Sequence, residues 1–381
     1  MTKPNNLREI AQVFLKLGII GFGGPAAHIA MMQEEIVEKR KWLTMQHFLD
    51  LMGATNLIPG PNSTEMTMHC GHVRGGWIGL VVAGTCFITP AVILTMIFAY
   101  LYQSYGQLPA VQPYIFGIKP AVIAIILSAV YKLSKKAIKG KTTGVLAVLA
   151  LVACLLGGSE IITLFGSGLL AVLIHYYYNN KQSSTDIQQQ YWLPVLLLQS
   201  KTIPTAATVA GWKIFWIFLK IGAILYGSGY VLFAFLDTEL VQTGLLSQQE
   251  LIDAVAVGQM TPGPVLTTAT FIGWQLGGWL GALVATLGIF LPSFLFVALL
   301  QPLVTKMRSS KPLGAFLDGV NAAAVAVILA VCITMGQTVL VDWRAIIIAI
   351  LSGIVVFQFK QVNAAFVVIG GAVLGYVLLL I

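Results

Sequence analysis

Apolar residues run along this chain in blocks of about span length, separated by short polar or basic loops. A membrane-crossing helix needs roughly 20 predominantly apolar residues. By that measure the first half offers 10–33, 77–101, 114–131, 143–157 and 160–178, and the second 213–235, 279–300, 316–335, 345–358 and 362–381. Two further stretches, 47–72 and 250–274, follow another pattern. Each is a helical run, a double-proline stop and a second run, with arms of about 16 Å at 1.5 Å per residue, half the hydrocarbon thickness. That pattern predicts a re-entrant hairpin whose tip lies near the midplane.

The pattern is written twice. Phe14-Leu15-Lys16-Leu17-Gly18 returns as Phe218-Leu219-Lys220-Ile221-Gly222, and the break Gly21-Phe22-Gly23-Gly24-Pro25 returns more loosely as Leu225-Tyr226-Gly227-Ser228-Gly229. Pro59-Gly60-Pro61 returns as Pro262-Gly263-Pro264, and Gly75-Gly76-Trp77-Ile78-Gly79 as Gly277-Gly278-Trp279-Leu280-Gly281. The offset stays between 202 and 204 residues, so the chain is a duplicated unit. An internal duplication in an apolar chain is a common plan of secondary transporters, with the substrate site at the repeat interface.

Basic residues fall on opposite loops in the two halves. Lys39, Arg40 and Lys41 lie in the 36–47 loop, whose counterpart 236–250 has none; the 102–113 loop has none, whereas 302–312 carries Lys306, Arg308 and Lys311. The 132–141 loop holds Lys132, Lys135, Lys136, Lys139 and Lys141, against Arg344 alone in 334–344. Since Lys and Arg favour the cytoplasmic side, matching loops face opposite ways. The fold class expected is an all-α integral membrane protein of two homologous halves, inverted repeats of about five spans plus a re-entrant Pro-Gly-Pro hairpin each. The units are a first repeat over 1–178, a polar linker over 179–212 and a second repeat over 213–381.

Composition narrows the class. The chain is 57% hydrophobic and only 9% charged, against roughly 25% charged in soluble domains, so it cannot present an ordinary water-facing surface. The net charge of +8 is accounted for by orientation-setting loops and points to no nucleic acid. Cys70, Cys86, Cys154 and Cys332 are scattered without a metal-binding or disulfide spacing. Neither a phosphate loop nor a nucleophile–base arrangement is visible, which argues against an enzyme and against a cofactor or metal.

The residues left for chemistry repeat as well. A helix bearing Lys16 or Lys220 runs into a glycine break (Gly23 and Gly24; Gly227), and each Pro-Gly-Pro tip opens a half-helix. Helix N-termini carry unpaired N–H groups and a positive dipole end, which suit an anion at midplane depth. Asn56, Asn62, Ser63 and Thr64 in the first half, and Gln259, Thr261, Thr267 and Thr268 in the second, supply hydroxyls and amides to orient tetrahedral oxygens. The substrate-binding set expected is thus Lys16, Gly23, Gly24, Asn56, Pro59, Gly60, Pro61, Asn62, Ser63, Thr64, Lys220, Gly227, Gln259, Pro262, Gly263, Pro264, Thr267 and Thr268. Glu65, matched by Thr268, is the proton-carrier candidate. Bland readings compete: the prolines as simple kinks, the lysines snorkelling to the interface, the glycines as packing devices, and His28, His69, His72 and Arg74, found in the first copy only, as loop or interface residues.

At these residues the sequence resembles the chromate ion transporter (CHR) family, through Phe14-Leu15-Lys16-Leu17-Gly18, Phe22-Gly23-Gly24-Pro25, both Pro-Gly-Pro motifs and Phe316-Leu317-Asp318-Gly319-Val320. The match spans both halves and departs where Ser228 and Gly229 stand for Gly-Pro. The resemblance implies chromate export across the plasma membrane and chromate resistance, with sulfate as an analogue. The partners expected are chromate or sulfate and the lipid bilayer, with a homodimer left open. Two other classes stay open: oxyanion uptake coupled to protons, and a non-transporting membrane scaffold.

Overall fold

The computed structural model describes residues 4–22, 24–55, 57–180, 211–226, 229–300, 311–359 and 362–380. Gly23, Asn56, Gly227 and Ser228, the loop residues Lys306 and Arg308, and linker residues 181–210 lie outside them. The described residues form helices joined by short turns, without a strand. In the first half α1 (Pro4–Ile20) is followed by α2 (Gly24–Met32), a π-helical turn (Gln33–Lys39), α3 (Met45–Thr55), α4 (Asn62–Tyr105), α5 (Gln112–Ala137), α6 (Lys141–Leu155) and α7 (Glu160–Asn180). The second half repeats the order: α8 (Gly211–Ile224), α9 (Leu232–Leu236) between a 3₁₀ turn (Gly229–Val231) and a π turn (Asp237–Val241), α10 (Gln248–Met260), a 3₁₀ turn (Val265–Thr267), α11 (Thr268–Leu300), α12 (Lys311–Val339), α13 (Trp343–Gln358) and α14 (Ala364–Leu380).

The stretch 10–33 reads as one apolar span but folds back at the glycine break. Lys16 Nζ lies 3.6 Å from Glu35 and Arg40 lies 2.9 Å from Glu9, so α1 and the α2–π arm run antiparallel. Lys220 meets Glu239 in the same relation in the second half. Each copy thus opens with one hairpin closed at its glycine break and follows it with another closed at the Pro-Gly-Pro tip.

A third reversal lies at the Gly-Gly-Trp motif inside α4 and α11. Gly75 and Gly76 leave helical geometry (φ −135° and 59°), as do Gly277 and Gly278 (φ −152° and 61°), and the ψ values of Gly76 and Gly278 are −152° and −155°. The chain turns back on itself there: Gly71 packs on Gly79, Gly273 on Gly281, and Thr270 Oγ1 bonds Thr286 Oγ1 at 2.8 Å. Positive φ with ψ near −150° is essentially reserved for glycine, which explains why the motif recurs intact.

Five stretches among the described residues are long and apolar enough to cross a bilayer: 62–105, 112–137, 160–177, 265–299 and 312–339. The shorter helices α6 and α13 are apolar as well, and Val145, Val148, Leu149 and Val152 on α6 and Ile350, Leu351 and Ile354 on α13 are exposed, the surface that lipid requires. The halves are inverted repeats. Leu80 clusters with Val297 while Gly84 faces Phe294, so the long arms of α4 and α11 run antiparallel. Likewise Lys139 pairs with Asp318 at 2.6 Å while Ile123 meets Cys332, making α5 and α12 antiparallel. A two-fold axis along the bilayer normal would make these equivalent helices parallel; the observed axis lies across them.

The halves are also intertwined. α5 of the first half packs on α13 and α14 of the second, and α12 of the second on α6 and α7 of the first. Small residues allow the close approach: Gly117 abuts Gly371 and Gly375, and Gly319 abuts Ser167 and Gly168.

Gly76→Ala and Gly278→Ala are each expected to destabilise the protein by about 1–3 kcal/mol, read as a lower melting temperature in detergent. Gly166→Ala, where nothing lies within 4 Å of the added methyl, should not lower it. Equal melting of all three variants would show that the Gly-Gly turn imposes no backbone constraint.

Candidate functional site

Proline explains the shape of each tip. It lacks an N–H and resists the helix interior, so Pro59-Gly60-Pro61 separates α3 from α4 and Pro262-Gly263-Pro264 separates α10 from the turn before α11. Pro61 (φ −80°, ψ 100°) and Pro264 (φ −74°, ψ 132°) are extended caps of the following helical turns. Between them Gly60 (φ 145°) and Gly263 (φ 88°) take conformations open to glycine.

Glycine supplies the sole N–H of each tripeptide, and that group binds the other half. Gly60 N–H donates to the Leu225 carbonyl at 2.7 Å, and Gly263 N–H to the Gly21 carbonyl at 2.7 Å. Leu225 and Gly21 stand at equivalent breaks, so the two tips interlock reciprocally. The sequence pattern suggested that tip amides await an anion; these two are already committed to protein carbonyls.

Beside the interlock lies a cavity of about 10 Å³, lined by Pro61 and Ser63 from the first tip and Pro264, Val265 and Leu266 from the second. Pro25 and His28 of α2, with Gly229 and Tyr230, complete its wall. The volume is that of about one water-sized sphere, too little for a tetrahedral oxyanion. Ser63, Val265 and Leu266 stand in first helical turns, where N–H groups precede the first i→i−4 carbonyl. A larger cavity of about 250 Å³ carries Glu160 and Asp237; two carboxylates make it the wrong environment for an anion.

The expected site residues separate into groups. Pro61, Ser63 and Pro264 line the small cavity, whereas Pro59, Gly60, Pro262 and Gly263 are not among its lining residues and belong to the adjoining tips. Gly24 begins α2 with φ 78°, and Asn62 is the first residue of α4. Thr267 and Thr268 donate their hydroxyl protons to the Pro264 and Val265 carbonyls at 3.0 and 2.8 Å, and Thr261 reaches Gly258 O at 3.3 Å. Thr64 is fully buried, and its hydroxyl has no hydrogen-bond partner among the described residues. Gln259 is buried on α10, and its Nε2 has no hydrogen-bond partner among the described residues. Lys16 and Lys220 are absent from the lining; their ammonium groups pair with Glu35 and Glu239 on half-exposed surfaces. Gly23, Asn56 and Gly227 lie outside the described residues.

Glu65 is buried at 0% exposure, against Gly60 and Ser293, and neither carboxyl oxygen has a hydrogen-bond partner among the described residues. An unpaired buried carboxyl is costly unless a proton or an ion joins it. Sequence reasoning missed His28 and Tyr230, which have no motif of their own. It also missed Glu35 and Glu239, whose shared 204-residue offset matches that of the two lysines and could have revealed them. A third omission is Asp253 of α10, which accepts from Tyr102 at 2.7 Å and lies 3.4 Å from Lys119, tying the second hairpin to α4 and α5.

The chromate transporter family model matches twice, over residues 8–173 and 212–376. This chain belongs to the chromate transporter family. A chromate transport protein of Cupriavidus metallidurans is 31% identical over 97% of this chain and 93% of its own length. A probable chromate transport protein of Synechococcus elongatus is 30% identical over 91% and 89%, and an uncharacterised transporter of Methanocaldococcus jannaschii 27% over 100% and 96%. No solved structure matches the chain. Within the family's two matched regions lie both tips, both glycine breaks and both Gly-Gly turns.

Lys119→Met should destabilise the protein by about 3–5 kcal/mol, because it leaves Asp253 buried without its cation. Adding Asp253→Leu should recover much of that loss. Wild-type melting of the single variant would show that the pair does not secure the second hairpin.

Proposed function

We propose that this protein is a secondary transporter that exports chromate from the cytoplasm across the plasma membrane and so confers chromate resistance, with sulfate competing as an analogue. The observation that carries this reading is the cavity at the repeat interface, walled by both Pro-Gly-Pro tips and edged by reciprocal backbone bonds. Such a site suits alternating access, in which one repeat moves against the other about a fixed midplane position. At about 10 Å³ the cavity is too small for the ion; a tip must withdraw from its partner carbonyl for an ion to enter. Ser63, Thr64, Asn62, Gly24 and Gln259 then face the ion, and helix starts supply N–H donors. The repeats over 1–178 and 213–381 each supply one of the moving tips, and 179–212 tethers them.

Voltage favours this direction. A dianion leaving an inside-negative cell gains about 4.6 kcal/mol per 100 mV, twice the single-charge value of about 2.3. Transport alters no covalent bond, so no enzymatic chemistry is required. A second reading, oxyanion uptake coupled to protons, is favoured by one observation: the fully buried, unpartnered Glu65 beside the first tip. The lysines act at a distance under either reading, holding each opening hairpin closed through Glu35 and Glu239.

Everted vesicles containing the protein should accumulate radiolabelled chromate under an inside-positive potential, and sulfate should inhibit. Lys16→Ala and Lys220→Ala should cut the maximal rate about tenfold, equivalent to about 1.4 kcal/mol on the conformational step, with little change in KM. A large rise in KM alone would return the lysines to the anion site. No accumulation by folded protein would overturn export, and tips that tolerate substitution would favour a scaffold.

A further inference from the structure

We propose that His28 is the proton-bearing ligand of the transported oxyanion, each dianion occupying the tip cavity together with one proton on His28 Nδ1. The inference rests on the reading that the anion passes through this cavity, and adds to it the protonation state in which the cavity accepts its cargo.

The backbone fixes the imidazole. His28 is 1% exposed, and its Nε2 lies 2.8 Å from the Gly21 carbonyl oxygen. A carbonyl can only accept, so Nε2 carries hydrogen and the neutral ring presents Nδ1 as a bare lone pair. Nδ1 has no hydrogen-bond partner among the described residues, and His28 is one of the residues that line the cavity. The Gly21 oxygen is the same atom that takes the Gly263 amide of the second tip at 2.7 Å. Ring and interlock therefore share one acceptor.

The surroundings offer no other positive charge. Phe87 of α4 stands edge-on to the ring with centroids 5.3 Å apart. Toward the cavity lie Ser63, Tyr230 and Leu266. Glu65, on the same arm of α4 as Ser63, is turned to Gly60 and Ser293, and the buried His69 follows it one turn on. No Lys, Arg, Asp or Glu is among the described lining residues. A lone pair facing an oxyanion repels it; a proton there creates a donor and a charge of the required sign. The step is a simple addition: the Nδ1 lone pair takes a proton from solvent, the anion accepts the N–H bond, and both leave when the proton is lost. Net transfer is then one negative charge per dianion instead of two. Leu232 occupies the equivalent position in the second half, so the device is single.

The test is calorimetric binding of chromate and of sulfate to purified full-length protein at mildly alkaline pH, where both are dianions, in buffers of different ionisation enthalpy. Wild type should take up one proton per anion bound, and affinity should fall about tenfold per pH unit above the imidazolium pKa. His28→Gln, whose amide keeps a donor for Gly21 but cannot gain charge, should bind with no proton uptake and a flat pH profile. Anion binding by wild type with no proton uptake overturns the proposal while leaving the transport reading intact. Unchanged uptake in His28→Gln, or uptake abolished by Glu65→Gln alone, also overturns it and passes the proton to Glu65. No binding of either anion and no vesicle flux at any pH sinks the anion-site reading itself. Should His28→Gln fail to fold, Glu65→Gln decides: one proton still taken up per anion supports the proposal, and uptake lost there or absent in wild type ends it.

Discussion

Two backbone hydrogen bonds, Gly60 N–H to Leu225 O and Gly263 N–H to Gly21 O, are the constraint around which the rest is arranged. At membrane depth no water is available for a broken helix, so each carbonyl freed at a break must find a donor within the protein. Each half supplies the donor that the other lacks. The double proline removes competing N–H groups from the tip, and glycine brings the remaining one close to a facing backbone. Because the site lies beside these bonds, access to it and integrity of the interlock are one variable.

This explains why the opening segment of each half is a hairpin. An uninterrupted helix through Gly21 would use that carbonyl in its own ladder and leave the second tip unpaired. The reversal also brings α2 alongside the tip, which is how His28 reaches a cavity otherwise built from the Pro-Gly-Pro segments. Farther out, the ion pairs of Lys16 and Lys220 with Glu35 and Glu239 close the wide ends of the same hairpins.

Much of this was legible in the sequence because duplication turns weak signals into paired ones. The helical class, the two copies, their inversion and the re-entrant tips follow from apolar blocks, a constant offset and opposed basic loops. The fold-back within 10–33 was not legible, since an apolar run of that length has the same composition whether it crosses or reverses; the deciding evidence is contact between residues such as Glu9 and Arg40. Lys16 and Lys220 were visible as repeated cations, but a side chain's partner is set by the angle between helices, and here it is a glutamate. His28 was hidden for the opposite reason: it has no copy, so repetition gave it no weight.

The contacts between halves are closed under exchange: tip to break and break to tip, α5 to α13 and α14, α12 to α6 and α7. Such an interface is isologous, the kind by which two identical subunits recognise each other. A chain of half this length could therefore build the same framework from two molecules inserted in opposite orientations. Fusion into one polypeptide fixes their ratio and orientation and frees each copy from having to serve in both places. The unlike pairs His28 with Leu232 and Glu65 with Thr268 are what that freedom permits: a symmetric framework holding an asymmetric site.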